Sequence, residues 1–491
     1  MKATGSASQE ALVIGSGIGG LSMGIFLAKL GYRTTVIEKN PRPGGLMRSY
    51  VRRGIACPVG VHYMGSLGPG QALRSLWDFL GVSGRISVER MGQAGVIDRY
   101  VYDDFTFDLP EGLHAFEENL CARFPDERET IRATMRMLDQ ACRQLRSLEF
   151  IVSEQGAFRI LDQMKPLGTL LSRMHCSPRL RSVLAVPSSW LGVPVDRSPA
   201  LYHNMSLASY LESSWRLTCS GSDMADAFAA SLVREGGELV RGDGAEAILV
   251  EPGGVRGVRL ASGRALRAPL VAAAIHPKQV LKLLPTRGAV RPVYRNRILK
   301  LADTHGILSV HAAVDASAHP EIPHNLFRIQ TDRQGTITNT YFVQVRKTAR
   351  PGRNLLSVLT SGNTALWHPW EDTVTGMRGE AYREAKAREA ARILGEAEPM
   401  VGRLHNAEVL DIVTPLTIRD WVASPGGSAY GVLRSLDQIQ SAALLNRCLL
   451  PGLYFAGQSV LCPGVLGTLL GSLNTVKAIA GPERFRSFFQ P

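Results

Sequence analysis

Residues 11–38 read ALVIGSGIGGLSMGIFLAKLGYRTTVIE. The apolar run at 11–14 has the length and composition of a buried parallel strand, and it stops at a glycine turn, GSGIGG. Gly15, Gly17 and Gly20 fit G-x-G-x-x-G, and Gly19 adds another residue without a side chain. The run LSMGIFLAKLG predicts a helix with Leu21, Ile25 and Leu30 among its apolar positions and Gly31 at its end. TTVIE then predicts a second buried strand ending in Glu38. This order predicts a βαβ unit in which a pyrophosphate rests on outward-pointing amides at the helix N-terminus and the carboxylate holds a ribose hydroxyl. An acid there disfavours a 2′-phosphate, so the ADP-ribose of FAD or NAD is favoured over that of NADP.

Composition narrows the class. A chain of 491 residues exceeds the reach of one hydrophobic core, so two domains are expected. Hydrophobic residues make up 45% and charged ones 20%, which excludes a disordered or collagenous chain. The cysteines at 57, 121, 142, 176, 219, 448 and 462 form no CxxC pair and lack histidines at zinc-ligand spacing, so no metal site or disulfide framework is expected. The N-terminal MKATGSASQEALVIG has no signal-peptide core, and no apolar run approaches the roughly 18 residues of a membrane span. A cytoplasmic location is the expectation. The net charge of +13 fits a solvated basic face or peripheral contact with an anionic membrane. Basic clusters such as RPVYRNRILK (291–300) lack stacking aromatics or a recognition-helix setting, so no nucleic-acid partner is expected.

After Glu38 comes KNPRPGGLMRSY. It resembles the flavoprotein pattern in which a second glycine pair follows the acidic strand. Gly44 and Gly45 would turn the chain beside the FAD diphosphate, with Lys39 and Arg48 as cationic neighbours. An enzyme using only NAD needs no such pair, so FAD is the expected cofactor.

Four stretches together carry a wider likeness: residues 13–45, RRGIACPVGVHYMG (52–65), TPLTIRDWVASPGGSAYG (414–431) and GLYFAGQSVLCPGVLGTLLGS (452–472). The chain resembles the phytoene-desaturase-like FAD oxidoreductases, most closely their retinol saturase and carotenoid isomerase branch. The resemblance implies that the late strand GLYFAG returns to the first sheet and that the following helix aims its N-terminus at the flavin ring. Gly457, Gly464, Val465 and Leu466 would then lie at the cofactor, where amides stabilise charge on the reduced ring. Gln458 stands where many flavoproteins have an acid, and this branch tends to glutamine there. A glycine-punctuated meander at 234–275 would cover the adenine through Ala245. Upstream, RLTCSGSDMADAF (216–228) departs from the family's proline–glycine pair, keeping only Gly221, so the flavin-facing wall there is expected to differ.

The expected fold class is α/β: an FAD-binding Rossmann-type domain of three ββα layers, with an inserted mixed α+β substrate domain. The cofactor domain is assigned to 1–110, 218–290 and 405–491, and the substrate domain, with helical inserts, to 111–217 and 291–404. Ile131, Met135, Leu138 and Cys142 repeat at helical spacing within 111–152, and 380–401 predicts a further helix. Segments 158–174 and 183–194 are apolar enough to line a tunnel or rest on a membrane. A lipophilic polyene or isoprenoid suits such a tunnel, and changing its double bonds needs a redox cofactor because no side chain supplies hydride. His62 and Tyr63, near the flavin by family likeness, are candidate proton donors, with Tyr430 as another and His203 as a weaker one. The chemistry is saturation, desaturation or cis–trans isomerisation, with an unidentified electron donor or acceptor. A flavin amine oxidase and a non-catalytic prenyl-lipid carrier are the alternatives.

Overall fold

Along Glu10–Ile14, Ala11 and Val13 pack into one buried cluster and Leu12 and Ile14 into another. Strand alternation sends successive side chains to opposite faces, so this strand is covered on both sides. The computed structural model describes residues 9–159, 163–439, 446 and 448–490. The strand sits mid-sheet in a five-stranded parallel sheet, in the order Glu238–Arg241, Arg33–Glu38, Glu10–Ile14, Leu270–Ala273, Leu453–Phe455. The two ends of the chain therefore meet in one sheet. Helices Ile18–Lys29, Gly221–Arg234 and Gly464–Ala480 cover one face, and a three-stranded antiparallel sheet spanning 245–267 covers the other. The predicted meander is thus divided: Glu238–Arg241 joins the parallel sheet, and only Ala245–Glu251, Gly254–Leu260 and Ala265–Arg267 form the antiparallel layer.

A seven-stranded sheet forms the second body, in the order Glu408–Val413, Gly306–Asp315, Arg353–Gly362, Ile337–Lys347, Asn325–Thr331, Asp98–Val101, Thr106–Leu109. Its membership moves the boundaries read from sequence. The hairpin at 98–109 pairs through Asp98 with Asn325, and 408–413 pairs with Gly306–Asp315, so both belong to the inserted sheet. Turn signals could not reveal this, because both segments are ordinary strands whose partners lie far off in sequence. Helix Arg128–Ser147 buries Ile131, Met135, Leu138 and Cys142 along one stripe, as its period predicts. Among the described residues no helix is long and apolar enough to cross a membrane.

Candidate functional site

The glycine turn is shaped by close backbone approach. A Cβ on Gly20 would overlap the carbonyl oxygen of Gly15, which itself has φ +94°. One on Gly19 would come within 2.8 Å of Gly457 Cα, and one on Gly45 within 3.1 Å of Gly17 Cα. The second glycine pair is tied to the first turn by Gly44 N donating to Ser16 O at 2.9 Å. A Cβ on Gly471 would overlap the carbonyl oxygen of Gly457, so the late helix is pressed against its own strand. Gly17 differs: a Cβ there meets open space. Helices Ile18–Lys29 and Gly464–Ala480 both start with no side-chain cap and no acid in the first turn. Their first amides have no side-chain cap, and open space lies at Gly17 and a cavity at Gly464, which suits an anionic or electron-rich ligand.

At the end of the second strand Glu38 is buried. Its Oε2 accepts from Ser16 N (3.0 Å) and Ser16 Oγ (2.6 Å), and its Oε1 from Asn40 N (2.9 Å) and Asn40 Nδ2 (2.8 Å). The chain before Ala245 lies alongside, with Gly242 N donating to Asn40 O and Asp243 N to Glu38 O. Ala245 therefore follows a segment that is hydrogen-bonded to the Glu38 end of the second strand. Arg48 Nε donates to Gly45 O at 3.1 Å and its guanidinium lies 5.7 Å from the Trp421 ring centre, while Lys39 Nζ donates to Asp420 O. Burial pulls both cations' pKa values down from their ordinary range. Gln458 lies beside Gly431, so the 414–431 and 452–472 stretches touch.

A cavity of about 410 Å³ opens between the cradle and the seven-stranded sheet. Gly464 and Val465, at the N-terminus of the late helix, form one wall, and Val61, Trp190, Val193, Tyr210, Phe327, Phe342 and Leu359 are among the apolar and aromatic rest. His62, Tyr63 and Tyr430 all line it. Tyr63 lies against Tyr210, ring centres 4.5 Å apart, and stacks on Phe342. Its Oη donates to Asp98 Oδ2 at 3.1 Å. Burial raises Asp98 to about 7, and burial lifts the Tyr63 phenol well above its ordinary value. His62 packs on Phe342 with both ring nitrogens enclosed and unpartnered, and burial lowers it to about 3. Tyr430 is raised to about 12 by burial. At its polar end the chamber shares His305, Thr338, Asn339 and Ser361 with a second cavity of about 320 Å³, which also holds Glu389 and Arg392.

The structure thus gathers Gly15, Gly17, Gly19, Gly20, Gly44, Gly45 and Gly457 around one turn and sets Glu38 and Lys39 beside the chain that leads into Ala245. Val465 and Leu466 are both partly buried against the core, and of Gly464, Val465 and Leu466 only the first two line the chamber. His203 does not line it; its Nδ1 meets Ser188 Oγ at 3.2 Å. Of the two apolar segments, 183–194 supplies chamber wall through Ala185, Trp190 and Val193. In 158–174, Leu167 and Leu171 are core, and residues 160–162 lie outside the described residues. The lone Gly221 has its own cause: a Cβ there would overlap the carbonyl oxygen of Met47. Asp98 escaped the sequence reading. Its one signal was an acid, IDRYV, inside a run of strand formers.

The family model for an NAD(P)-binding Rossmann-like domain matches residues 13–80. All-trans-retinol 13,14-reductase of Danio rerio is 22% identical, covering 95% of this chain and 85% of that protein. Chloroplastic prolycopene isomerase of Arabidopsis thaliana is 24% identical, covering 93% and 80%. The chain is thus similar over most of its length to proteins named for retinol reduction and prolycopene isomerisation. Its fold is shared with putrescine oxidase, at a TM-score of 0.65 and 15% identity, covering 96% of this chain and 99% of that one. The matched family model fits the glycine turn and Glu38 as a dinucleotide-binding unit.

Proposed function

We propose that the protein is an FAD-dependent oxidoreductase acting on carbon–carbon double bonds of a lipophilic polyene or isoprenoid. One observation carries the reading: the aromatic, apolar chamber opens directly onto Gly464 and Val465 at the uncapped start of the late helix. A substrate in that chamber lies against whatever that helix end holds. The relatives named for retinol reduction and prolycopene isomerisation support the same class of bond.

The cradle fits FAD. Its diphosphate would take the open space at Gly17, between the amides of the first helix and the Gly44–Gly45 turn. A ribose diol would replace the Ser16 Oγ and Asn40 Nδ2 donors on Glu38, leaving the two backbone donors in place. When bound, FAD supplies the two-electron chemistry that no side chain offers. The chain's own residues hold the hydrocarbon, exclude water and move the proton. Tyr63, in the chamber wall with its hydroxyl on a buried acid, is the proton donor. His62, kept uncharged by burial, is a polar wall residue.

The test is to purify the protein, read its flavin absorbance with and without added FAD, reduce it anaerobically and incubate it with polyenes. A product heavier by two hydrogens means saturation. Unchanged mass with shifted retention means isomerisation. No flavin absorbance in any preparation, or conversion of amines with peroxide release, would defeat the proposal.

A further inference from the structure

We propose that Asp98 is the proton store behind Tyr63, so that the proton delivered into the chamber comes from a two-residue unit. The inference rests on the reading of the chamber as a site for carbon–carbon double bonds. It starts from a buried polar row that runs behind the chamber wall from Tyr63 through Asp98 and Asn325 to Gln344. Tyr63 Oη and Asp98 Oδ2 are 3.1 Å apart, a separation that serves donation in either direction. The other carboxyl oxygen accepts from Asn325 Nδ2 at 2.7 Å, and Gln344 Nε2 donates to Asn325 Oδ1 at 2.6 Å. That last bond fixes the Asn325 amide with its donor toward Asp98. The three residues occupy neighbouring strands in register, so the sheet itself holds them.

Asp98 has no exposed surface. The groups facing it are uncharged: Tyr63 from the chamber wall, Tyr100 on its own strand, Tyr210 on the helix above, and the two amides. Its strand neighbour Arg99 is paired with Asp108 at 2.7 Å. His62 and His311 are both lowered by burial and stay uncharged at neutrality. A carboxyl enclosed without a cation keeps its proton to about pH 7, three units beyond an exposed aspartate.

The step balances as follows. With flavin bound as the hydride source, the carbon next to the one reduced would gain the Tyr63 proton: the Oη–H bond breaks and a C–H bond forms. The Asp98 O–H bond then breaks and Tyr63 regains its proton. The negative charge ends on a carboxylate facing two donors, instead of on a phenolate that burial disfavours. Water entering the emptied chamber returns the proton through Tyr63, and an external two-electron donor such as reduced nicotinamide restores the cofactor.

The test uses the full-length, flavin-loaded protein, reduced anaerobically, with all-trans-retinol and prolycopene in detergent as probes. In the unsubstituted protein the rate falls above about pH 7, where Asp98 loses its proton. Asp98→Asn lowers the rate on the order of a hundredfold and flattens that limb. Infrared spectra supply a readout independent of turnover: a protonated-carboxyl band present at pH 6, weaker at pH 8 and missing in Asp98→Asn. A variant that keeps the original pH profile, or a protein without that band, overturns the inference. Should Asp98→Asn fail to fold, Asn325→Leu removes a donor that favours the carboxylate, and must move the band's titration to higher pH; an unmoved titration overturns it equally. Where the protein binds no flavin or converts amines, the proposed function fails, whereas an absent protonated-carboxyl band overturns the Asp98 inference alone.

Discussion

In the cofactor cradle the backbone makes the contacts, whereas in the chamber beside it side chains do. Around Gly15, Gly19, Gly20 and Gly457, segments more than four hundred residues apart in sequence touch main chain to main chain, with no room for a methyl group. The chamber wall is a patchwork: Tyr63 from a loop, Trp190 from the short helix Pro187–Leu191 and Val193 from the turn after it, Tyr210 from a longer helix, Phe327 and Phe342 from adjacent strands. Backbone contact tolerates almost no substitution, because glycine is the only residue that permits it. Side-chain contact tolerates exchange of size and shape as long as the volume is filled. The cradle is therefore brittle and general, and the chamber adaptable and specific.

The largest test of that contrast lies inside the cradle itself. Gly20→Ala forces a Cβ into the Gly15 carbonyl oxygen, so the expected outcome is a protein that fails to fold and carries no flavin. Gly17→Ala places the same methyl in open space at an ordinary φ of −61°, so the variant folds and melts like the unsubstituted chain but binds no flavin. Circular dichroism melts and visible absorbance of the two variants settle the matter. Equal behaviour would mean that the turn is not divided between packing and ligand.

The next effect belongs to the chamber. Tyr63→Phe keeps the ring against Tyr210 and Phe342 and removes only the hydroxyl that meets Asp98. Product formation from a polyene falls roughly 10²- to 10⁴-fold, the usual range for a lost acid–base group, while flavin content is unchanged. Retained activity would return the proton to bulk water and leave the chamber a binding surface alone.

The two regions also differ in what the sequence discloses. Gly15, Gly17, Gly20, Gly44, Gly45 and Glu38 could be read in order because a local βαβ unit fixes their spacing. The row of Asp98, Asn325 and Gln344 could not, because it exists only once three strands from distant parts of the chain settle into register. For the same reason the domain boundary read at residue 110 does not disclose that the strands at 98–109 pair with the seven-stranded sheet. His62 and Tyr63 were legible as a pair, but their division into an uncharged ring and a hydroxyl on an acid depends on burial, which adjacent positions in sequence do not reveal.

That burial has a thermodynamic signature. The folded chain holds the Asp98 proton to about pH 7, and the unfolded chain releases it near the ordinary aspartate value of 3.8. The resulting stability is fully present below that lower value and is lost as pH rises toward 7, since the unfolded state gives up its proton first. Three units correspond to roughly 4 kcal/mol as an upper bound. In urea titrations of the two proteins, Asp98→Asn gains stability relative to the unsubstituted chain between pH 4 and pH 7. A constant difference across that window would show that the carboxyl does not titrate there.

The smallest effect sits where cradle and insert meet. Trp421, half exposed at the end of helix Pro415–Val422, lies under the Arg48 guanidinium, while its carbonyl accepts from Asn40 Nδ2 and the Asp420 carbonyl accepts from Lys39 Nζ. Trp421→Ala removes the indole and keeps both carbonyls, so Asn40 remains oriented toward Glu38 and only the cation–π contact is lost. At a partly exposed site that contact is worth about 0.5–1 kcal/mol. Flavin affinity should therefore fall only about two- to fivefold, measured by fluorescence titration of the apoprotein. A loss of a hundredfold would mean that the indole, and not the backbone around it, holds this edge of the groove, and the division between a backbone-made cradle and a side-chain-made chamber would have to be redrawn at residue 421.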